Sequence, residues 1–357
     1  MKKINWIITV LIIALSNNYV WAQLSTLVSA NFQEEIEQLM HEKNVPALAI
    51  GTIVDGELSQ LKVFGKLQFK TSTSDSTTFS SKSNNPAPDN AIFNIASLSK
   101  PISAYLTLTL ASNGNWDLDE PLCHYWVDPD IKDDPYLEKL TTRIVLTQRT
   151  GFDNWRWNNE SGKLTFNFEP GTEIKYSGEG FEYMRRAIEH KFNQPWEELA
   201  DSLLFKPFGM KDTRFLWDDD FHKYRYAIEH DKEGLRYFYK QRTENAIASD
   251  RVLTTIGDYC IFVENILKAT GLTEEVYNDM IRPQAIVKEG VSYGLCWYIM
   301  QNYDKGEAAL THTGYDPGVC TKVVILPESK RAIIMFANGD NGFDLMESVE
   351  AGFFKNL

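Results

Sequence analysis

Two β-hairpin patterns, one near each end of the chain, constrain the fold more than any other feature of the sequence. Near the N-terminus, the apolar runs 46–54 and 58–64 flank an Asp-Gly turn. Near the C-terminus, runs 319–326 and 332–337 flank a short polar turn that contains proline. Neither hairpin can bury both of its faces alone. We therefore expect strands from both ends of the chain to pair in one antiparallel sheet.

The stretch between the hairpins, 96–268, has mainly helical spacing. The expected helices are 31–44, 98–110, 140–148, 179–191, 195–204, 256–268 and 344–354, and residues 293–300 return to strand character. Residues 70–90 read as an exposed loop. The predicted fold class is α+β, an α/β sandwich in which helices flank an antiparallel sheet. Segments 23–95 and 285–357 build the sheet region and 96–284 a large inserted helical region, in one domain overall.

The first residues have the pattern of an export signal. Lys2 and Lys3 precede an apolar run over 4–15, and Val20-Trp21-Ala22 fits signal peptidase. We expect 1–22 to be a cleaved signal peptide, although a retained anchor is the alternative. The mature protein would then be periplasmic or secreted, with no transmembrane segment.

Composition narrows the classes of partner. The 43% of hydrophobic residues excludes a disordered chain. The formal net charge of −13 argues against nucleic acid and anionic membrane as partners. The expected partner is a small-molecule or peptide substrate.

The four cysteines, Cys123, Cys260, Cys296 and Cys320, show no metal-ligand spacing. We therefore predict no metal and no cofactor. Export permits a disulfide, for which Cys296 and Cys320 are candidates, and buried free thiols are the alternative.

Two Ser-x-x-Lys tetrads occur, and their context separates them. Ser59 and Lys62 lie in a predicted strand, where side chains three apart point to opposite faces. Ser97 and Lys100 open a predicted helix, where positions three apart share a face. The amine of Lys100 could there take the proton of the Ser97 hydroxyl, which makes Ser97 a candidate nucleophile. A helix-capping serine beside an exposed lysine would explain the tetrad if it stood alone.

Two further motifs follow in order. Tyr176-Ser177-Gly178 stands just before a predicted helix, and His312-Thr313-Gly314 stands before the strand at 319. With Ser97-x-x-Lys100, this order resembles the superfamily of class C β-lactamases, DD-peptidases and esterases, whose members carry S-x-x-K, Y-x-N and K-T-G or H-T-G. The resemblance extends from about Phe32 to Asn338.

The resemblance implies roles for these residues. Ser97 would attack an acyl carbonyl and form an acyl-enzyme, while Lys100 and Tyr176 together accept its proton. Tyr176 would then protonate the leaving group and later assist the attack of water.

The third motif would bind the substrate. The backbone N–H groups of Ser97 and Tyr315 would form the oxyanion hole. His312 and Thr313, with Gly314, would orient the substrate carboxylate or acyl chain.

Two departures from the family pattern concern substrate recognition. Gly178 stands where relatives carry an Asn that holds the acyl amide of the substrate. From the sequence alone we therefore expect esters to be preferred and Gly178→Asn to improve β-lactam turnover. Gln148 and Arg149 stand where many relatives have His-Thr-Ser-Gly, and their predicted role is structural.

Two hypotheses about function follow. The first is an active serine hydrolase, with a carboxylesterase or D-amino-acid peptidase ranked above a true β-lactamase. The second is a catalytically silent relative that binds peptidoglycan or peptides; Gly178 is the feature that favours it.

Overall fold

An eight-stranded antiparallel sheet is the centre of the molecule. A computed structural model describes residues 30–68, 86–237 and 245–355. The strands lie in the order β2-β1-β10-β9-β8-β7-β6-β5. Their bounds are Ala47–Val54 (β1), Glu57–Gly65 (β2), Ala285–Lys288 (β5), Val291–Tyr293 (β6), Tyr298–Asp304 (β7), Glu307–Asp316 (β8), Val319–Leu326 (β9) and Arg331–Ala337 (β10).

The two ends of the chain meet within this sheet, where β1 and β10 are the second and third strands from one edge. β1 pairs antiparallel with β10, with Leu48 opposite Ala337 and Ile50 opposite Met335. Both terminal hairpins form as predicted, β1 with β2 and β9 with β10. The predicted antiparallel α+β class is therefore confirmed.

Helices cover both faces of the sheet because strand residues alternate between the faces. On one face, helices α1 (Ala30–Glu42) and α10 (Gly342–Lys355) pack on residues such as Leu48. On the other face, α8 (Ile256–Leu267) packs against the cluster that contains Ala47 and joins the sheet to the helical region.

The helical region contains the predicted helices with somewhat different bounds, together with short helices that the sequence had not indicated. They are α2 (Ser99–Ser112), α3 (Thr142–Leu146), α4 (Gly178–Phe192), α5 (Trp196–Ala200), α6 (Lys206–Phe208), α7 (Asp219–His222) and α9 (Glu274–Ile281), with a π-helical turn at Asp201–Phe205. A two-stranded ribbon, β3 (Ile92–Asn94) with β4 (Leu253–Thr255), leads directly into the segment that carries Ser97.

Two expectations from the sequence are wrong in detail. The stretch 293–300 is not one strand, because the chain leaves the sheet between Tyr293 and Tyr298 and turns at Cys296, whose φ is 75°. All four cysteines are free thiols. Cys296 and Cys320 belong to the core clusters on opposite faces of the sheet, so they cannot form the disulfide considered above.

Some expectations fall on residues outside the described ranges. The signal peptide 1–22 and most of the loop 70–90 are among them. Within the described ranges, no helix combines the length and the apolar character needed to span a bilayer.

Candidate active site

Ser97 lies on a tight turn that precedes helix α2. The turn is a 3₁₀ segment, Ala96–Leu98, and Ala96 has a φ of 45°. A non-glycine residue in this region costs about 1–3 kcal/mol and persists only where its surroundings hold it. Here the side chain of Asn94 accepts a hydrogen bond from Ala96 N at 2.9 Å, and Ser99 Oγ donates to Ala96 O at 2.6 Å. The chain thus presents Ser97 on a fixed backbone.

Lys100 meets Ser97 on the same face of this segment. Its side chain is buried, with 1% exposed. Nζ donates to Ser97 Oγ at 3.0 Å and to the Ser249 carbonyl at 2.8 Å. The second bond orients the amine, so the first can relay the proton of the Ser97 hydroxyl.

The other tetrad has no such arrangement. Ser59 and Lys62 lie in β2, where Lys62 is exposed and forms an ion pair with Asp89 at 3.8 Å.

Tyr176 lies against the same amine, but through its ring. Lys100 Nζ is 4.7 Å from the ring centroid, a cation–π distance. Among the hydrogen bonds of the described residues, those of Lys100 go to Ser97 and Ser249 and none goes to the Tyr176 hydroxyl. A small rotation of the phenol is therefore needed before it can exchange a proton with Lys100.

Gln148 holds the Tyr176 segment from both sides. Its side-chain oxygen accepts from Ser177 N at 2.7 Å, and its carbonyl accepts from Lys175 N at 2.8 Å. Gln148 is buried and has a φ of 58°. Its structural role is thus the positioning of Tyr176, which sequence reasoning had not identified. The signal in the sequence that could have indicated this role is the position of Gln148 in the motif where the chain departs from the family pattern.

Gly178 opens α4 beside the site, and its side-chain space is filled. A Cβ there would lie 3.1 Å from Trp155 Cζ2 and Cη2 and 3.2 Å from Ser249 Oγ. Trp155 is stacked on Trp157, with ring centroids 4.8 Å apart and planes 9° apart. An indole edge therefore stands where relatives place an amide. The expectation that Gly178→Asn alone improves β-lactam turnover has to be revised, because the indole must move first.

Strand β8 packs directly on the turn that carries Ser97. A Cβ at Gly314 would lie 2.5 Å from Ile95 O and 2.9 Å from Ser97 N, so only glycine allows this approach. Pairing with β7 ends at Thr311, whereas pairing with β9 continues to Asp316. Among the described strands, one backbone edge of 312–316 thus has no partner, and an extended substrate could bind along it beside Ser97.

Side chains of the third motif point alternately to the solvent and to the interior along strand β8. Thr313 and Tyr315 are exposed, Tyr315 by 55%. His312 points inward, is 2% exposed, and its Nδ1 lies 2.8 Å from Thr313 O, a distance at which a protonated Nδ1 donates. Burial, helped by the charge of Lys100, lowers the pKa of His312 to about 3, so its imidazole is neutral near pH 7.

Two other features lie away from Ser97. A cavity of about 890 Å³ opens between α2 and α9, where Arg143 bridges Asp119 and Asp279. In the described part of the chain, the metal-ligating atoms of Cys123, His124 and Glu138 lie within 4.8 Å of one another. His124 and Glu138 are exposed and form an ion pair at 3.2 Å.

The chain is similar in sequence to known proteins. The chain is 23% identical over 306 residues to Penicillin-binding protein 4* of Bacillus subtilis, covering 74% of this chain and 64% of that protein, slightly less than two thirds of its length. It is 22% identical over 282 residues to the D-alanyl-D-alanine-carboxypeptidase/endopeptidase AmpH of Escherichia coli, covering 69% of this chain and 70% of that protein.

Solved structures show the same fold. An octameric penicillin-binding protein homologue from Pyrococcus abyssi superimposes with a TM-score of 0.72 at 21% identity, over 88% of this chain and 74% of that one. A class C beta-lactamase superimposes with a TM-score of 0.74 at 16% identity, over 94% and 96%. The family model described as Beta-lactamase matches residues 32–350. The chain therefore belongs to the Beta-lactamase family of serine hydrolases.

Proposed function

We propose that this protein is an exported serine hydrolase that forms an acyl-enzyme on Ser97 and cleaves a carboxylic ester. The observation that carries the proposal is the buried amine of Lys100, 3.0 Å from Ser97 Oγ and oriented by the Ser249 carbonyl. A serine hydroxyl needs such a neighbour to become a nucleophile.

The contacts of Lys100 support the following reaction, in which the other roles are those that the family resemblance implies. Ser97 Oγ attacks the carbonyl carbon as its proton passes to Lys100, with Tyr176 as the second proton carrier. The backbone N–H groups of Ser97 and Tyr315 stabilise the oxyanion. The proton then passes to the leaving group, and water attacks the acyl-enzyme by the reverse proton path.

The surroundings of Gly178 support an ester over an amide. The place of the amide-binding Asn is taken by the apolar edge of Trp155, beside the Ser249 hydroxyl, which already donates its hydrogen bond to Glu182. A β-lactam or acyl-D-alanine substrate would leave its side-chain amide unpaired there, at a cost of about 1–3 kcal/mol. Cleavage of D-amino-acid peptides, the activity named for the AmpH relative, ranks second, and β-lactam hydrolysis third.

A silent binding protein is the alternative from another class. Lys100 is buried and hydrogen-bonded to Ser97, which follows the strained residue Ala96. A protein that only binds peptides would not need such an arrangement. The contacts of Lys100 therefore favour the enzyme.

Labelling with a fluorophosphonate probe tests the proposal, since only an activated serine reacts. Wild type and Ser59→Ala, which alters the other tetrad, should be labelled equally. Ser97→Ala should stay folded and unlabelled. Labelling of Ser97→Ala at the wild-type rate would show that another residue is the nucleophile. An unlabelled wild type would favour the silent binding protein.

Hydrolysis assays then rank the substrates. The mature protein is assayed with short-chain aryl esters, D-alanyl peptides and a chromogenic cephalosporin. Ester turnover should have the highest kcat/KM. Export is tested separately by N-terminal sequencing of the protein secreted from its host, with Gln23 as the expected first residue.

A further inference from the structure

Two carboxyl groups lie side by side behind the nucleophile turn. Asp316 ends β8 and shares a face with His312 and Gly314, because alternate strand residues do so. Asp250 follows Ser249, whose carbonyl binds Lys100, and is only 8% exposed. The two carboxyl groups are within hydrogen-bonding reach of each other.

This arrangement requires a proton. When both groups are ionised, Oδ1 of Asp250 is buried with no hydrogen-bond partner among the described residues. One shared proton converts the repulsion between the carboxylates into an O–H···O bond. Burial raises the pKa of both groups, and each is opposed by the positive charges of Lys100 and Arg251, which face the pair. Arg251 Nε is 3.8 Å from Asp250 Oδ2.

The pair is connected to the nucleophile by one side chain. Asp316 is hydrogen-bonded to the Asn94 side chain, and Asn94 Oδ1 accepts from Ala96 N at 2.9 Å. Ala96 is the left-handed residue immediately before Ser97. The position of Asp316 is thus transmitted through Asn94 to the backbone that presents Ser97.

We propose that Asp250 and Asp316 share one proton in the working protein, and that this pair positions the turn that presents Ser97. Asp316 is then a positioning residue, and the proposal rests on Ser97 being the nucleophile. At higher pH the shared proton is lost and the two carboxylates repel each other. Asp316, the less buried of the two, moves and takes the Asn94 contact with it, so acylation slows.

The pH dependence of kcat/KM for an aryl ester tests this in three variants. Asp316→Asn replaces a protonated carboxyl by a neutral amide that donates to Asp250 and accepts from Asn94. Its kcat/KM should stay constant to higher pH than that of wild type, whatever its value at neutral pH. Asp316→Ala should lose about a hundredfold, the effect of displacing a catalytic group by about 1 Å. Asp133→Asn, at an exposed position, controls for the lost negative charge and should follow wild type.

An infrared spectrum gives a readout that does not depend on activity. Wild type at neutral pH should show a stronger carbonyl band of protonated carboxyl than Asp316→Asn or Asp250→Asn. Burial also raises the pKa of Glu182 and Glu229, and these groups contribute the same background to all three spectra. The proposal is overturned if the band is equally strong in wild type and in both variants, or if Asp316→Asn and wild type have the same pH profile. Labelling of Ser97→Ala would defeat the proposed nucleophile while leaving the infrared result standing, so the two failures are distinguishable.

Discussion

Replacing Gly178 by Asn tests whether the contact between residue 178 and Trp155 selects the substrate. The new Cβ would lie 3.1 Å from two ring atoms of Trp155 and 3.2 Å from Ser249 Oγ. Contacts at these distances are tighter than most real Cβ contacts, so the indole must shift by a few tenths of an ångström for the Cβ alone. The amide of the introduced side chain needs still more of the space that Trp155 occupies.

The expected magnitudes follow from this crowding. Overpacking a filled site costs about 1–3 kcal/mol. Gly178 is the first residue of α4 and asparagine is a weak helix former, so little is regained from helix propensity. We expect Gly178→Asn to lower the free energy of unfolding by about 1–2 kcal/mol in urea titrations, with no gain in kcat/KM for a cephalosporin.

Opening the space should change the outcome. Trp155→Ala combined with Gly178→Asn lets the amide reach the substrate. The cephalosporin kcat/KM should then rise about ten- to a hundredfold over Trp155→Ala alone, the value of one buried hydrogen bond. Aryl ester kcat/KM should change little, because these substrates have no amide to pair. Trp157→Ala is the control, since Trp157 is 67% exposed and reaches the site only through its stack on Trp155.

The reasoning would be refuted by either of two results. One is a Gly178→Asn variant as stable as wild type that already hydrolyses cephalosporins faster. The other is a double variant in which the two changes act independently, because the structure requires Trp155 and residue 178 to be coupled.

Four further predictions concern the same structure. Tyr176→Phe should lose about 10²–10⁴-fold in kcat while its thermal stability stays close to wild type, and an unchanged kcat would show that Lys100 acts without it. Gln148→Ala leaves Ser177 N without its acceptor, whereas Gln148→Glu keeps an oxygen there, so the alanine variant should lower kcat more. Equal effects of the two variants would show that Gln148 does not position Tyr176. His312 is neutral when folded and has a pKa lowered from 6.5 to about 3, so its contribution to stability is present above pH 6.5 and is lost as pH falls from 6.5 toward 3. In urea titrations at several pH values, the free energy of unfolding falls as pH falls, and His312→Gln should reduce this slope by the uptake of about one proton. A slope equal to that of wild type would contradict the assignment. A thiol reagent should modify the half-buried Cys123 first and the three buried thiols only on unfolding, and reductant should leave the melting temperature unchanged, since a lower value would reveal a disulfide.

The sequence by itself determined the layout of the fold and the nucleophile segment. Apolar runs bounded by turn residues defined the two terminal hairpins. Each hairpin leaves a backbone edge with unpaired hydrogen-bonding groups, which favours pairing between the two. Helical spacing also distinguished the Ser97 tetrad from the Ser59 tetrad, because the face a side chain occupies is a local property of the backbone. The order of the three motifs then predicted the family.

Only the tertiary structure decided what surrounds these residues. The periodicity of apolar residues indicates that a position is buried. It does not indicate which distant residue lies against that position. Lys100 is oriented by the carbonyl of Ser249, 149 positions along the chain. The space above Gly178 is closed by Trp155, and Asp250 reaches Asp316 from another segment. Each of these contacts joins segments that are separate in the sequence and that only the packed fold brings together, so no local pattern could contain them.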